Sequence, residues 1–429
     1  MGRLDSWLFG ALTSTLLPPA MLLASLAAGY CFWRGMTEVG GQTNADLTRH
    51  RYVLGTIGSG KTMGLVGMLQ DSIERGHACV WVSTHGARQV MRYLPEGTPT
   101  EYFHPQRGKG INLLRRYTHT PLERAVLASQ CVTVFRRLFG DAMGQGMVEL
   151  AHAGALALLE GKQEVTLLDL YRALRSGEVE SGNEIVEWTI CNADRRTSAA
   201  TVRRLGGTLA SDLLLRCLSA TGSNALDLGA LIDPEPIVIV CDIDKGEIGK
   251  ESADLLAHIL TSQLELVLSA RHGNERMVSV FLDECQTYAH DGLAEAIEEG
   301  RKRRVCWTFA HQSREQMPRR LKAALELCGS QWFFALRPED SLYAARIMNS
   351  KQWPKERFPS QPPRRYISRQ LIRGRYRIVA GRTHTMRPVR DFQPPHHIEP
   401  APVPETRSDG RVERSAAKEA NRRASSIGL

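Results

Sequence analysis

Hydrophobic positions change their spacing several times along the chain. Tyr52-Val53-Leu54 is a short apolar run that stops at a glycine, and Ala78 to Val82 (ACVWV) is a second run rich in β-branched and aromatic residues. Both read as strands. Between them, Thr62 to Arg75 carries Met63, Val66, Leu69 and Ile73 at helical spacing. A βαβ rhythm of this kind predicts a parallel sheet covered by helices.

From about Pro121 to Ala225 the pattern becomes helical. Pro121 to Phe139, Met147 to Leu159, Leu167 to Leu174 and Ser198 to Ser219 repeat apolar residues at 3.6 spacing, with Thr166 and Asp169 placed as a reciprocal N-cap. Strand signals return at Ile237 to Val240, Val278 to Leu282, Val305 to Ala310 and Gln331 to Leu336. The first three are almost unbroken apolar runs, as strands buried on both faces require. Helical stretches at Ser252 to Ala270 and Leu293 to Lys302 separate them. The expected fold is α/β, with residues 36–115 and 229–393 forming one domain and residues 116–228 inserted in it as an all-α domain. Residues 394–429, rich in Pro and Arg, read as a disordered tail.

The N-terminus is of another kind. Ser6 to Trp33 contains no charged residue, and about 20 residues suffice for a helix to cross a membrane. Trp7 and the cluster Tyr30, Phe32, Trp33 flank it as an aromatic belt, and Pro18-Pro19 would kink it. Residues 1–35 are therefore expected to be a transmembrane anchor; a cleaved signal peptide is the competing reading, since SLAAGY holds small residues. Arg34, Arg49 and Arg51 follow the segment while Asp5 offsets Arg3, which orients the body toward the cytoplasm. Met36 to Thr48 is polar and suits a linker.

Composition adds little to this. The 429 residues are 42% hydrophobic and 24% charged, as in a folded protein, with a net charge of +9 that favours a polyanionic partner only weakly. Nine scattered cysteines without a C-x-x-C pair exclude a disulfide or zinc framework and read as buried thiols.

The chemistry lies in three places. GTIGSGKT (Gly55, Thr56, Ile57, Gly58, Ser59, Gly60, Lys61, Thr62) follows a strand and opens a helix, the context in which such a loop cradles phosphates on its N–H groups. Lys61 would bridge the β- and γ-phosphates of ATP, and the Thr62 hydroxyl would ligate Mg²⁺. The strand VSVFL ends in Asp283 and Glu284: Asp283 would hold the Mg²⁺ shell, and Glu284 would polarise the attacking water. Gln312 ends the strand VCWTFAHQ at the edge where ligands of parallel sheets gather. It either reaches the γ-phosphate or merely caps the strand, and His311 carries no catalytic role.

The order of these pieces around a helical insertion resembles the HerA/FtsK superfamily of DNA pumps, and within it the coupling-protein ATPases of conjugation and type IV secretion. The likeness rests on GTIGSGKT, KGEIGKESADLLAHIL (245–260), FLDECQTYA (281–289), EEGRKRRVCWTFAHQ (298–312) and FALRPED (334–340), and spans roughly residues 50 to 350. It implies a RecA-like P-loop domain, an N-terminal anchor in the bacterial inner membrane and a homo-oligomeric, hexameric ring with ATP between subunits. It also implies that Arg301, from the G-R-K motif, enters the neighbouring subunit's site in trans. Lys302, Arg303 and Arg304 gain no such role. The implied partners are DNA, single-stranded and with a relaxase-like protein attached, and secretion-channel components.

Two departures stand out. Ser83-Thr84-His85-Gly86 replaces an acidic, glycine-containing turn, and there is one candidate membrane segment where many coupling proteins have two. Two other functions share some of these features. A membrane-bound phage-assembly or DNA-packaging ATPase would share the P-loop and anchor. A receptor or scaffold that binds ATP without motor activity would need neither Glu284 nor Arg301.

Overall fold

The computed structural model describes residues 41–117, 120–161, 164–177, 179–290, 292–383 and 386–394. The expected anchor and tail lie outside these residues, apart from Pro394. Among the described residues no helix is long and apolar enough to cross a membrane.

Among the described residues nine strands form one sheet: β1 (Arg51–Leu54), β2 (Ala78–Ser83), β3 (Thr100–Phe103), β4 (Val238–Asp242), β5 (Val278–Asp283), β6 (Val305–His311), β7 (Ser330–Phe333), β8 (Arg365–Ile372) and β9 (Arg375–Arg382). Their order is β3-β4-β2-β5-β6-β1-β7-β8-β9. The first seven in this order run parallel; β8 and β9 are antiparallel to their neighbours. Alternation along β2 explains why its sequence is apolar from Ala78 to Val82. Val80 and Val82 pack with Leu256 and Leu260 of the helix Lys250–Ser269, whereas Cys79 and Trp81 pack with Leu65 and Leu69 of the helix Lys61–Glu74. Both faces are covered, so both sets of side chains must be apolar.

Between β3 and β4 the chain leaves the sheet for a run of helices, from Pro121–Phe139 to Leu228–Ile232. Thr166 and Asp169 form the reciprocal cap: the Asp169 carboxylate accepts the Thr166 N–H at 3.0 Å, and the Thr166 hydroxyl accepts the Asp169 N–H at 3.3 Å. Ser198 to Ser219 is not one helix. It breaks into Arg195–Leu209 and Asp212–Leu218, because Ser211 takes up extended backbone at φ −77°, ψ 125° and starts a new helix. The helix Glu184–Cys191 was not expected from the periodicity. Asn183 starts it by accepting the Ile185 N–H at 3.0 Å.

Four further differences lie in and around the sheet. The expected linker contains a helical turn, Asn44–Leu47, with a capping box between Thr43 and Asp46. The strand expected over Gln331 to Leu336 is the shorter β7, and Leu293 to Lys302 is a helix, Gly292–Glu299, followed by a 3₁₀ turn, Gly300–Arg303. The hairpin β8–β9 is additional. Its turn is tied to the start of the described residues, since the Asp46 carboxylate accepts the N–H groups of Arg373 (2.8 Å) and Gly374 (2.9 Å). Burial works to raise the Asp46 pKa, but these bonds and those from Thr43 outweigh it and hold the carboxyl below its ordinary range.

Candidate nucleotide-binding site

β1 lies between β6 and β7, and its C-terminal end delivers the loop 55–60 to the edge of the sheet where the parallel strands finish. The loop is anchored on both sides. Gly55 N–H donates to His311 O of β6 at 3.3 Å, and Thr56 N–H donates to Ala335 O, just beyond β7, at 2.8 Å. Gly58 (φ +73°) and Gly60 (φ +98°) take backbone that side chains disfavour. At Gly60 there is also no room, since a Cβ would lie 2.9 Å from Arg364 Cα. Arg364 N–H donates to Ser59 O at 2.7 Å, so the segment leading into β8 closes one side of the loop. Ile57 projects outward, 80% exposed.

Lys61 and Thr62 open the helix Lys61–Glu74. The Lys61 side chain is 5% exposed, and its Nζ donates to the carbonyls of Gly55 (2.8 Å) and Thr56 (3.1 Å). It also lies 4.0 Å from Glu284 Oε1. Burial lowers the Lys61 pKa, and the charges of Glu284 and Asp283 oppose that shift. The Thr62 hydroxyl donates to Asp283 Oδ2 at 3.3 Å, so the end of β5 meets the start of this helix. Burial raises the Asp283 carboxyl to about 6, helped by the charge of Glu284.

Glu284 is the first residue after β5 and has a left-handed backbone, φ 54° and ψ 41°. For a glutamate this is sparsely populated. It turns the side chain toward two amides: Gln312 Nε2 donates to Glu284 Oε2 at 2.7 Å, and Gln286 Nε2 donates to the same oxygen at 2.6 Å. Tyr288 fixes the turn by reaching back to Asp283 O (2.8 Å) and Val82 O (3.1 Å). His311 faces away. It is fully buried between Tyr52 OH (2.9 Å) and Ser313 O (3.0 Å), and burial pushes its pKa down to about 3. It is a neutral packing residue.

The site thus brings together Lys61, Thr62, Asp283, Glu284 and Gln312. Gln286, two residues beyond Glu284, had no distinguishing signal in the sequence. Arg301 is not brought to this cluster. It is exposed, in the turn Gly300–Arg303 before β6, whereas Gln312 follows the other end of that strand. Seven residues of strand put roughly 20 Å between them. The turn is seated by His50, which no sequence feature marked. Trp307 N–H donates to His50 Nδ1 at 3.2 Å, His50 Nε2 is 2.8 Å from Ile297 O, and a Cβ at Gly300 would lie 2.7 Å from the imidazole. Burial lowers the His50 pKa to about 4.

The sequence matches no family model, and no curated protein matches it. Solved structures do match. The conjugative coupling protein TrwBdeltaN70, in its unbound monoclinic form, superposes with a TM-score of 0.59 at 14% identity, over 82% of this chain and 91% of that one. The fold is one shared with coupling proteins. VirB4 of Thermoanaerobacter pseudethanolicus gives a TM-score of 0.60 at 14% identity, over 82% and 92% of the two chains. TrwB in complex with the non-hydrolysable ATP analogue ADPNP gives 0.56, again at 14% identity, over 82% and 91%. A further TrwB structure holds ADP and Mg²⁺.

The turn after β2 departs from the acidic pattern and is held by hydroxyls: Ser83 Oγ donates to His85 O at 2.9 Å, and Thr84 Oγ1 lies 3.4 Å from Thr287 Oγ1. Its neighbour, the end of β4, carries the acidic group instead. Asp242 is fully buried and accepts Tyr102 OH at 2.6 Å and Arg88 Nε at 3.2 Å.

Proposed function

We propose that the chain is a P-loop ATPase that hydrolyses ATP to move DNA, as an inner-membrane, ring-forming coupling protein of conjugation or type IV secretion. The carrying observation is the placement of Glu284. Its carboxylate stands 4.0 Å from the P-loop lysine and is held on one oxygen by two amides. A protein that merely stores nucleotide has no use for an oriented carboxylate there, which is why the motor reading is preferred to the scaffold reading. Likeness in fold to TrwB and VirB4 supports the secretion-system setting.

The residues present fit nucleotide with Mg²⁺. Ser59 Oγ is buried with no hydrogen-bond partner among the described residues, and Thr62 and Asp283 present two oxygen donors to one point. These two would hold the ion, which neutralises charge on phosphate oxygens when bound. Lys61 would exchange its two carbonyl partners for β- and γ-phosphate oxygens. Glu284 would orient and deprotonate the attacking water, and Gln312, bonded to it, would pass the state of the γ-phosphate to β6. Arg301, too far for its own site, would serve the adjacent subunit's site, where a guanidinium contributes about 10³–10⁵ in rate. The cargo would be single-stranded DNA with a relaxase-like protein, received on the helical side and passed to channel components through a hexameric ring.

ATP turnover of the purified full chain, measured with and without single-stranded DNA, tests this reading. Stimulation by DNA that disappears in Lys61→Ala is expected. Turnover that ignores DNA and survives Lys61→Ala would overturn it.

A further inference from the structure

From Arg357 to Arg390 the sequence holds ten arginines and not one aspartate or glutamate. The hairpin β8–β9 lies in this stretch. β9 is the last strand of the sheet, with β8 on one side and no described strand on the other. Arg373, Arg375, Arg377 and Arg382 are all exposed, and among the described residues none of them has a carboxylate within 4.0 Å. Tyr376 and Ile378, between them, are 53% and 40% exposed, and Arg369 of β8 lies over the Tyr376 ring at 4.6 Å. Charges on an edge strand discourage sheet-to-sheet pairing, but mixed signs would serve that end equally well. A single sign, interleaved with an exposed aromatic and an exposed aliphatic side chain, is the composition of a surface that meets anionic lipid.

Two placements say which polyanion this edge faces. The hairpin turn is bonded to Asp46, and Gln42 Nε2 donates to Leu371 O at 2.9 Å, so the hairpin is fastened to the beginning of the described chain. Only residues 34–40 separate that point from the uncharged segment ending at Trp33, a span of at most about 30 Å. The helical insertion leaves the sheet at β3 and β4, the opposite edge. One edge therefore carries the cargo-side helices and the other, beside the expected anchor, carries the arginines.

We infer that the β8–β9 hairpin is a membrane-docking edge that binds the phosphate headgroups of anionic lipids in the cytoplasmic leaflet. The inference rests on the membrane-anchored part of the proposed function. The strand meets the headgroups edge-on, with Arg375 and Arg377 on one face of β9, Tyr376, Ile378 and Arg382 on the other, and Arg373 in the turn. Docking fixes the tilt of the sheet against the membrane and leaves the opposite edge free for cargo.

The test is hydrogen–deuterium exchange of the full chain mixed with vesicles of phosphatidylcholine alone, or with a quarter of phosphatidylglycerol. Amides of residues 373–382 should exchange at least threefold more slowly with phosphatidylglycerol than without, and Arg375→Gln/Arg377→Gln should abolish the difference while ATP turnover stays unchanged. Equal exchange in both vesicles would overturn the inference, as would slowing caused by single-stranded DNA in place of phosphatidylglycerol. Resistance of the vesicle-bound chain to carbonate extraction reads the anchor separately. A chain that is extracted but still protected at β9 loses the anchor and keeps the docking edge; one that resists extraction with β9 unprotected does the reverse.

Discussion

Gln312 Nε2 and Glu284 Oε2 stand 2.7 Å apart, joining the end of β6 to the end of β5 beside the P-loop lysine. If Glu284 is the base, its loss should strike turnover and spare binding. Glu284→Gln is expected to lower kcat by about 10²–10⁴, with the ATP dissociation constant unchanged by titration of a fluorescent nucleotide. A parallel loss of binding would mean that the carboxylate only shapes the loop.

Gln312→Ala should be milder, since Gln286 still holds the same oxygen of Glu284. Loss of orientation is expected to cost up to about 10² in kcat with little change in KM. The informative readout is DNA stimulation, measured as the ratio of turnover with and without single-stranded DNA. The ratio should collapse toward one; a proportionate fall in both rates would make Gln312 a strand cap and nothing more.

The roughly 20 Å of strand between Arg301 and Gln312 makes a mixed-ring experiment decisive. Arg301→Ala and Lys61→Ala subunits should each be inactive alone and regain hydrolysis when mixed, because each mixture contains sites with an intact loop beside an intact arginine. Mixtures that assemble and stay inactive would remove the trans assignment.

Gly60→Ala combines strained backbone at φ +98° with a Cβ 2.9 Å from Arg364 Cα. Such backbone strain costs about 1–3 kcal/mol. The variant should melt several degrees lower and bind nucleotide at least tenfold more weakly, whereas Gly58→Ala, whose Cβ meets nothing within 4 Å, should show the smaller change. Equal effects at both positions would show that Arg364 is not the cause.

Burial keeps His50 and His311 neutral, with pKa values lowered to about 4 and about 3 from an ordinary 6.5. Below 6.5 the unfolded chain takes up protons that the folded chain refuses, so stability is full near pH 7 and falls as the pH drops toward 4. Each histidine should withdraw about 2 kcal/mol by pH 5. Urea denaturation at pH 7.5 and 5.0 should show a smaller loss in His311→Asn than in the parent protein; an identical loss would place the acid sensitivity elsewhere.

What was legible in the sequence follows burial. β1, β5 and β6 are buried along their whole length, so their residues are mostly apolar, with Arg51, Ser279 and Thr308 as buried exceptions, and the residues assigned chemistry lie at or follow their ends. β3, with Thr100 and Glu101 in four residues, and β8–β9, whose last strand is largely exposed on both faces, carry no such run. The break at Ser211 is a local change to extended backbone that apolar periodicity passes over. Lys61, Thr62, Asp283, Glu284 and Gln312 could be picked out because each follows or precedes a legible strand. His50 could not: it holds the Gly300 turn across some 250 residues of chain, and only the packing of its ring against a glycine shows it.

That histidine gives β1 a mechanical meaning. The strand begins beside His50, which seats the turn bearing Arg301, and ends at Gly55, where the phosphate loop begins. Four buried residues in the middle of a sheet form a short strut between the loop 55–60 and the turn that bears Arg301. On the proposed ring reading, each subunit would hold its own nucleotide at one end of this strand and present Arg301 toward its neighbour from the other.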